Sequence, residues 1–515
     1  MASHGPLSFS RLLRTLVLCS EKAASIARLI KTQYDLFDTL VQRKTGAEAN
    51  PRFNVDVKTL ADVLIQEVVR HDLNETFPGF GVSVFGEENN HFSNIFGESI
   101  YIHIPKSMDE MAAVLARVLN HASLSQTLAK AALRPLDSYM SEAAFKQIQP
   151  DLDEVTSRLQ DDCTWSGFQS HCGVWIDPID ATAEYARGHV VSTCKTDTDI
   201  GTSETPTSAS TGSPTSSPDH TYLIQKFPGS LINVTVLIGL FDRTSGVPLV
   251  GVINQPFYPT VIHPTFVRSS EETHNVPGPN PYCGRICWGF CLDDRIHNAG
   301  RIASVSRNFT RLPQHLNWPP SSPTKFCFPD RYVDFCCNLR EAGQSRNVLK
   351  VACSVVEFDK LKQTFKNWAA AKHSTQKVAL LASPGAGLKL LLLALGEVDA
   401  YLLTGPNTYF WDTCAAHAIL RAQGGGILHL RNALEATHRI LLDVPTMDAN
   451  QLDQSMATLL LNHEIDYSTG EAAHSELDFP HYRNSGGLLA YRDRKLAIKL
   501  LFHLDRFLPQ SYSSV

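Results

Sequence analysis

The segment Trp175-Ile176-Asp177-Pro178-Ile179-Asp180-Ala181-Thr182 carries the densest chemistry in this chain. Two carboxylates three residues apart flank a proline, and a small residue and a hydroxyl follow. Proline disfavours helix in the residue before it, so Asp177 belongs to extended or turning backbone. The apolar run Val174-Trp175-Ile176 predicts a buried strand that delivers the pair to a strand end. Ala181-Thr182 can then open a helix whose first amides face an anion. Two charges so close to a core are costly unless a cation compensates them. Carboxylates for cations beside amides for a phosphate predict metal-assisted phosphoryl transfer.

Three more carboxylates stand at the ends of predicted elements: Asp62, Glu87 and Asp412. Hard divalent ions such as magnesium want oxygen ligands. Breaking a phosphate ester requires charge to be neutralised on the phosphate oxygens, and two cations about 3.5–4 Å apart can hold both the attacking and the leaving oxygen. Several acidic residues from separate segments suit such a site. Taken singly, each has an ordinary role: Asp412 as a helix N-cap, Asp62 as a partner of a helix dipole, Glu87 and Glu88 as an exposed turn after Gly86.

The elements that must bring these groups together are legible in part. A helix is expected over about 20–45, with Ala23, Ile26, Ala27 and Ile30 on one face, and another over about Thr59 to Arg70, with Thr59 as its N-cap. Val82 to Phe85 reads as a short strand ending at Gly86, and 107–122 and 137–160 read as helical. Ile232 to Phe241 and Val247 to Asn254 form a hairpin about Asp242-Arg243-Thr244-Ser245-Gly246. A second αβ unit starts near Lys350. It contains a strand over Val398 to Leu403, a helix over about Ala415–Ala422 stopped at Gly424, a strand over Ile427 to Leu430, a late strand over Gly486 to Tyr491 and a helix to Leu508. Residues 192–218 are Ser, Thr, Pro and Asp with almost no apolar content, and are expected to form a disordered surface insertion.

The set Asp62, Gly86-Glu87-Glu88, Asp177-Pro178-Ile179-Asp180-Ala181-Thr182 and Trp411-Asp412-Thr413-Cys414-Ala415-Ala416 resembles the magnesium-dependent, lithium-sensitive phosphatases of the inositol monophosphatase superfamily, which includes the bisphosphate nucleotidases and fructose-1,6-bisphosphatase. Lys58 to Val68, Gly246 to Leu249 with Gly251 to Phe257, Trp411 to Gly426 and Gly486 to Arg492 resemble the inositol polyphosphate 1-phosphatases within it. The resemblance implies a layered αβαβα sandwich (α+β / α/β), with an N-terminal α+β half (1–345) carrying most ligands on an antiparallel sheet and a C-terminal α/β half (346–515). It implies that Asp62, Glu87, Asp177, Asp180, Asp412 and the Ile179 carbonyl bind two or three Mg2+ ions, with Li+ as an inhibitor. Asp62, Glu87 and Thr182 would be catalytic, Thr182 orienting the nucleophilic water. Ala181 and Thr182 would hold the scissile phosphate by their amides, with Lys389 at a second phosphate and His417 lining the pocket. The activity implied is hydrolysis of the 1-phosphate of inositol 1,4-bisphosphate and inositol 1,3,4-trisphosphate. A 3′(2′),5′-bisphosphate nucleotidase is the alternative, favoured locally by Glu184-Tyr185, and a non-catalytic inositol-phosphate-binding protein is a third reading. The relatives carry Ser where this chain has Ala181, so an amide contact survives there and a hydroxyl contact does not.

The bulk numbers agree with an enzyme of this kind. The chain has 515 residues, 43% hydrophobic and 19% charged, enough for a large core. Its net charge of −6 gives no general pull toward nucleic acid or anionic membrane, so local cations must attract a polyanionic substrate. No apolar run reaches the roughly 18 residues of a membrane helix, and no secretory signal is evident. The expected location is cytoplasmic, the partner a small inositol polyphosphate; oligomeric state is not given. Twelve scattered cysteines suit a reduced protein. Cys283, Cys287 and Cys291 recur every four residues, but without the spacing of a zinc site.

Overall fold

The computed structural model of the protein describes residues 9–33, 37–45, 56–159, 171–188, 222–226, 230–258, 282, 284–292, 307–311, 348–370, 377–444, 447–468 and 482–507. The Ser/Thr-rich tract at 192–218 and Cys283 lie outside them.

The chain opens with α1 (Phe9–Lys31), a two-stranded ladder of β1 (Val41–Arg43) and β2 (Val57–Thr59), and α2 (Leu60–Thr76). Strand β3 (Val84–Gly86) and a small hairpin, β4 (His91–Ser93) and β5 (Ser99–Tyr101), precede α3 (Met108–Leu119), α4 (Ala122–Leu133) and α5 (Ala143–Leu159). Then come β6 (Cys172–Asp180), the short α6 (Thr182–Arg187), β7 (Tyr222–Lys226), β8 (Thr235–Asp242), β9 (Pro248–Gln255), β10 (Arg285–Leu292) and β11 (Arg307–Arg311). The remainder alternates: β12 (Val348–Cys353), α7 (Phe358–Ala370), β13 (Lys377–Ala382), α8 (Ala386–Leu395), β14 (Ala400–Leu403), α9 (Phe410–Ala422) and β15 (Gly426–His429). Helices α10 (Leu430–Asp443) and α11 (Ala449–Asn462), strand β16 (Leu488–Tyr491) and helix α12 (Arg494–Phe507) complete it.

Two six-stranded sheets result. The first runs β11-β10-β9-β8-β6-β3 and is antiparallel except where β3 lies parallel to β6. The second runs β15-β16-β14-β12-β13-β7, with a parallel centre and β16 antiparallel to both β14 and β15. Strand β7 precedes residue 346 in the chain yet pairs with β13, so chain order and layers do not divide at the same place.

Alternation along the strands assigns their faces. Val174, Ile176, Val236, Ile238, Val250 and Val252 face α1 and α2. Trp175, Leu237, Phe241 and Ile253, one residue out of phase, face the middle layer of α8 and α9. The second sheet turns Tyr401, Leu403 and Ala490 to that layer, and Val351, Leu380, Leu402 and Leu489 to an outer layer of α7, α10, α11 and α12. The stack is therefore α-β-α-β-α. Each large apolar side chain so buried contributes about 1.5–3 kcal/mol, which is why sheets rather than loops set the site's frame.

Glycine fixes how deeply α9 sits. Gly239 of β8, Gly251 of β9 and Gly289 of β10 are cross-strand partners, forming a lane without side chains. A Cβ on Gly251 would lie 1.8 Å from the Ala415 carbonyl oxygen, and one on Gly239 2.6 Å from the Ala415 nitrogen. The helix backbone thus rests directly on the sheet.

Some boundaries differ from the sequence expectation. The first helix runs from Phe9 to Lys31, not over 20–45, because Leu12, Leu13, Leu16 and Val17 continue its buried stripe while Arg14 reaches out to Asp153. The helix expected over Ala415–Ala422 begins at Phe410, which places Asp412 in its first turn. Among the described residues, no helix is long and apolar enough to cross a membrane.

Candidate active site

Strand β6 is buried along its whole length. Its pairing with β8 slips between Asp177 and Asp180: Asp177 faces Leu237 and Asp180 faces Thr235. This bulge lets two carboxylates from one strand turn toward the same region. The Ile179 amide donates to Asp177 Oδ1 at 3.1 Å. Ala181 then adopts φ +68°, one of two non-glycine residues with positive φ among those described. That left-handed residue swings the chain from the strand into α6.

Asp180 is held by a second element. The amides of Ala386 and Gly387, at the start of α8, donate to its two carboxylate oxygens at 3.1 and 2.8 Å, and Thr235 Oγ1 donates at 3.2 Å. A side chain at Gly387 would meet Thr235 Oγ1 at 2.1 Å, so glycine is needed for this approach. Asp412 sits in the first turn of α9 and accepts from the Tyr409 amide at 2.6 Å. Carboxylate oxygens of Asp177, Asp180 and Asp412 lie within 4.8 Å of one another.

Asp62 and Glu87 border this group. Asp62 is fully buried and closes a capping box on α2, accepting from the Thr59 amide at 2.7 Å and from Thr59 Oγ1 at 2.5 Å. Its other oxygen, Oδ1, faces Thr182 Oγ1 at 3.3 Å, and that hydroxyl also lies 2.9 Å from the Ile179 carbonyl oxygen. Glu87 follows β3 and receives Lys44 Nζ at 2.6 Å. The turn that presents it is clamped by Gln66, whose amide bonds both the nitrogen and the carbonyl of Glu88.

Electrostatically the cluster is short of positive charge. Burial, then the charges of Glu87, Asp180, Asp412 and Asp62, pushes the Asp177 carboxyl well above the ordinary range. Burial and then Asp180 and Glu87 do the same to Asp412. Asp180 is raised by burial despite Lys389 and the α8 amides, which act against it. Asp62 is raised to about 6, chiefly by burial. Buried carboxylates in mutual repulsion, with oxygens a few ångströms apart, fit a hard cation. Asp177, Asp180 and Asp412 could ligate one directly, with Asp62 and Glu87 at its flank.

Two residues expected at the substrate have other partners. Lys389 is buried, with Nζ donating to the Ser383 carbonyl at 2.8 Å and to that of Gly385, and lying 5.3 Å from the Tyr401 ring centroid. Burial lowers its ammonium to about 8. It therefore buttresses the turn that presents the α8 amides to Asp180. His417 is enclosed in the middle layer with Nδ1 3.2 Å from Tyr467 Oη, and burial followed by Arg421 keeps it neutral. Cys287 and Cys291 are buried in the first sheet, and burial lifts the Cys287 thiol to about 12, opposite to what a metal thiolate needs.

Sequence reasoning missed Lys44, Lys58 and Glu88. Taken singly, Glu88 reads as part of an exposed turn; it is buried, with Lys44 at 2.5 Å and Lys58 at 3.8 Å. It also missed that Gly385-Ala386-Gly387 serves Asp180. A glycine-rich helix start opposite a buried aspartate was the available signal.

The model of the inositol monophosphatase family matches residues 106–298 and 333–464. An inositol polyphosphate 1-phosphatase of Bos taurus is 33% identical over 501 residues, covering 96% of this chain and 98% of that protein. A 3′(2′),5′-bisphosphate nucleotidase 1 of Rattus norvegicus is 22% identical over 425 residues, covering 82% and 84%. Among solved structures, a Staphylococcal inositol monophosphatase-1 in a LiCl-soaked inhibitory complex is similar at 10% identity and a TM-score of 0.33, over 92% of this chain and 89% of that one.

Proposed function

Since the chain belongs to the inositol monophosphatase family, we propose that it is a magnesium-dependent phosphatase that hydrolyses the 1-phosphate of inositol 1,4-bisphosphate and inositol 1,3,4-trisphosphate. The observation that carries the metal chemistry is the group of Asp177, Asp180 and Asp412, three buried carboxylates with oxygens within 4.8 Å. Asp62, Glu87 and the Ile179 carbonyl would complete the places for two or three Mg2+ ions. Bound there, the ions would neutralise charge on the phosphate and make water nucleophilic at neutral pH.

The chain's own residues do the rest. Thr182 Oγ1 touches Asp62 Oδ1, so it can take a proton from an attacking water and pass its own to that carboxylate. The left-handed Ala181 sets the start of α6, where the amides of Ala181 and Thr182 would receive the phosphate. The capping box on α2 and the α8 amides on Asp180 lock two of the carboxylates before any ligand arrives, lowering the cost of organising the site.

The likeness to inositol polyphosphate 1-phosphatase spans nearly the whole chain, and the nucleotidase likeness is weaker in identity and extent. A substrate panel decides between them. Phosphate release is measured from inositol 1,4-bisphosphate, inositol 1,3,4-trisphosphate and adenosine 3′,5′-bisphosphate, with Mg2+ and with EDTA, and with Li+ added. The expected result is Mg2+-dependent, Li+-inhibited loss of the 1-phosphate; faster turnover of the nucleotide would overturn the substrate assignment.

A further inference from the structure

Lys44 touches a proposed metal ligand, Glu87, directly. It follows β1, and its backbone amide donates to the Asp56 carbonyl at 2.8 Å, extending the β1–β2 ladder. Its side chain is 3% exposed, and Nζ lies 2.6 Å from Glu87 Oε1 and 2.5 Å from Glu88 Oε1. A buried ammonium bridging two adjacent carboxylates is a fixed charge and not a surface pair of small effect. The two carboxylates are not equivalent. Glu88 is buried and also has Lys58 at 3.8 Å from its other oxygen, whereas Glu87 is partly open and borders the carboxylate group.

Resting on the reading of Glu87 as a cation ligand, we propose that Lys44 is a resident counter-cation that competes with the metal for Glu87 and retires onto Glu88 when the metal binds. It thereby sets the metal affinity of the site. An ammonium and a divalent ion repel, so they cannot both sit tightly on the Glu87 oxygens. Glu88 gives the ammonium somewhere to remain paired, which makes the exchange possible without exposing a bare buried charge. Lys44 is a positioning residue acting through Glu87, and the ladder that carries it links cation occupancy to the start of α2, where Asp62 lies.

The sign of the affinity change tests this. Mg2+ and Mn2+ binding are measured by calorimetry on the wild-type chain and on Lys44→Met, Lys44→Arg and Glu88→Gln, with thermal unfolding in EDTA alongside. Lys44→Met is expected to bind about tenfold more tightly and to unfold earlier in EDTA. Lys44→Arg should behave as wild type. Glu88→Gln, which takes away the carboxylate onto which the ammonium would retire, should bind more weakly. Equal or weaker binding by Lys44→Met, with wild type binding normally, overturns the proposal, because a residue that merely supports the ligands would weaken binding when lost. If Lys44→Met does not fold, unchanged or tighter binding by Glu88→Gln overturns it instead. A wild-type chain that binds neither ion overturns the reading of the metal site itself.

Discussion

Thr182 Oγ1 stands 3.3 Å from Asp62 Oδ1, although 120 residues separate them. The contact joins the helix start after β6 to the first turn of α2. It gives the hydroxyl a proton acceptor that the capping box has already fixed in orientation.

If that contact moves a proton, removing the hydroxyl should slow chemistry and spare binding. Thr182→Ala is expected to lower kcat by about 10²–10⁴-fold with little change in Mg2+ affinity, and Thr182→Ser should retain most of the rate. Steady-state kinetics on inositol 1,4-bisphosphate, paired with calorimetric Mg2+ titration, checks both. Parallel loss of Mg2+ binding in Thr182→Ala would assign the hydroxyl to the metal site and not to proton transfer.

The raised carboxyls make the metal-free protein sensitive to pH. Asp62 is held up to about 6, first by burial. A carboxyl whose folded pKa exceeds its unfolded value contributes its full stability below the unfolded pKa and loses it as pH rises through the folded one. Tm in EDTA should therefore fall between about pH 4 and pH 6 from this group. Mg2+ should offset the loss, so the Tm gap between Mg2+ and EDTA widens with pH and binding releases protons. A gap that stays constant across this window would mean that the raised carboxyls do not face the cation.

Asp177→Asn separates stability from function. The substitution removes one charge from a mutually repelling group while an amide oxygen can still accept from the Ile179 nitrogen. Activity and Mg2+ binding should vanish, yet the variant should unfold later than wild type in EDTA. Denaturant titration in EDTA reads this, and a destabilised variant would show that the charge is not costly in the empty site.

Gly251→Ala tests the seat of α9. The added methyl has nowhere to go against the Ala415 carbonyl, so helix and sheet must part. We expect a loss of about 1–3 kcal/mol or more, with weakened Mg2+ affinity because Asp412 rides on that helix. Wild-type stability in this variant would mean that the helix is not held to the sheet at this point.

Much of this was visible before any coordinates. The strand-to-helix turn at 177–182, the Thr59 cap and the hairpin about Ser245 follow from local rules: proline, capping residues and period-two alternation. The strand β7 escaped because its partner lies far along the chain, and pairing across such a distance leaves no periodic mark. Lys44 and Lys58 escaped for a related reason. A lysine in an isolated sequence reads as solvated, and only tertiary burial beside Glu88 turns it into a counter-ion. For Lys389, a cation in a glycine-rich segment suggested a phosphate, and the fold gives its ammonium the carbonyls of Ser383 and Gly385.

The placement of β7 governs how this protein can be made. Tyr222 has to await Val378 before the outer edge of the second sheet exists. A nascent chain must therefore keep that segment from mispairing while much of the remaining polypeptide is synthesised. Cutting the gene near residue 346 and expressing the pieces apart would leave the later piece with an open parallel edge, prone to recruiting strangers. Genetic dissection should instead carry Tyr222–Lys226 along with the downstream fragment.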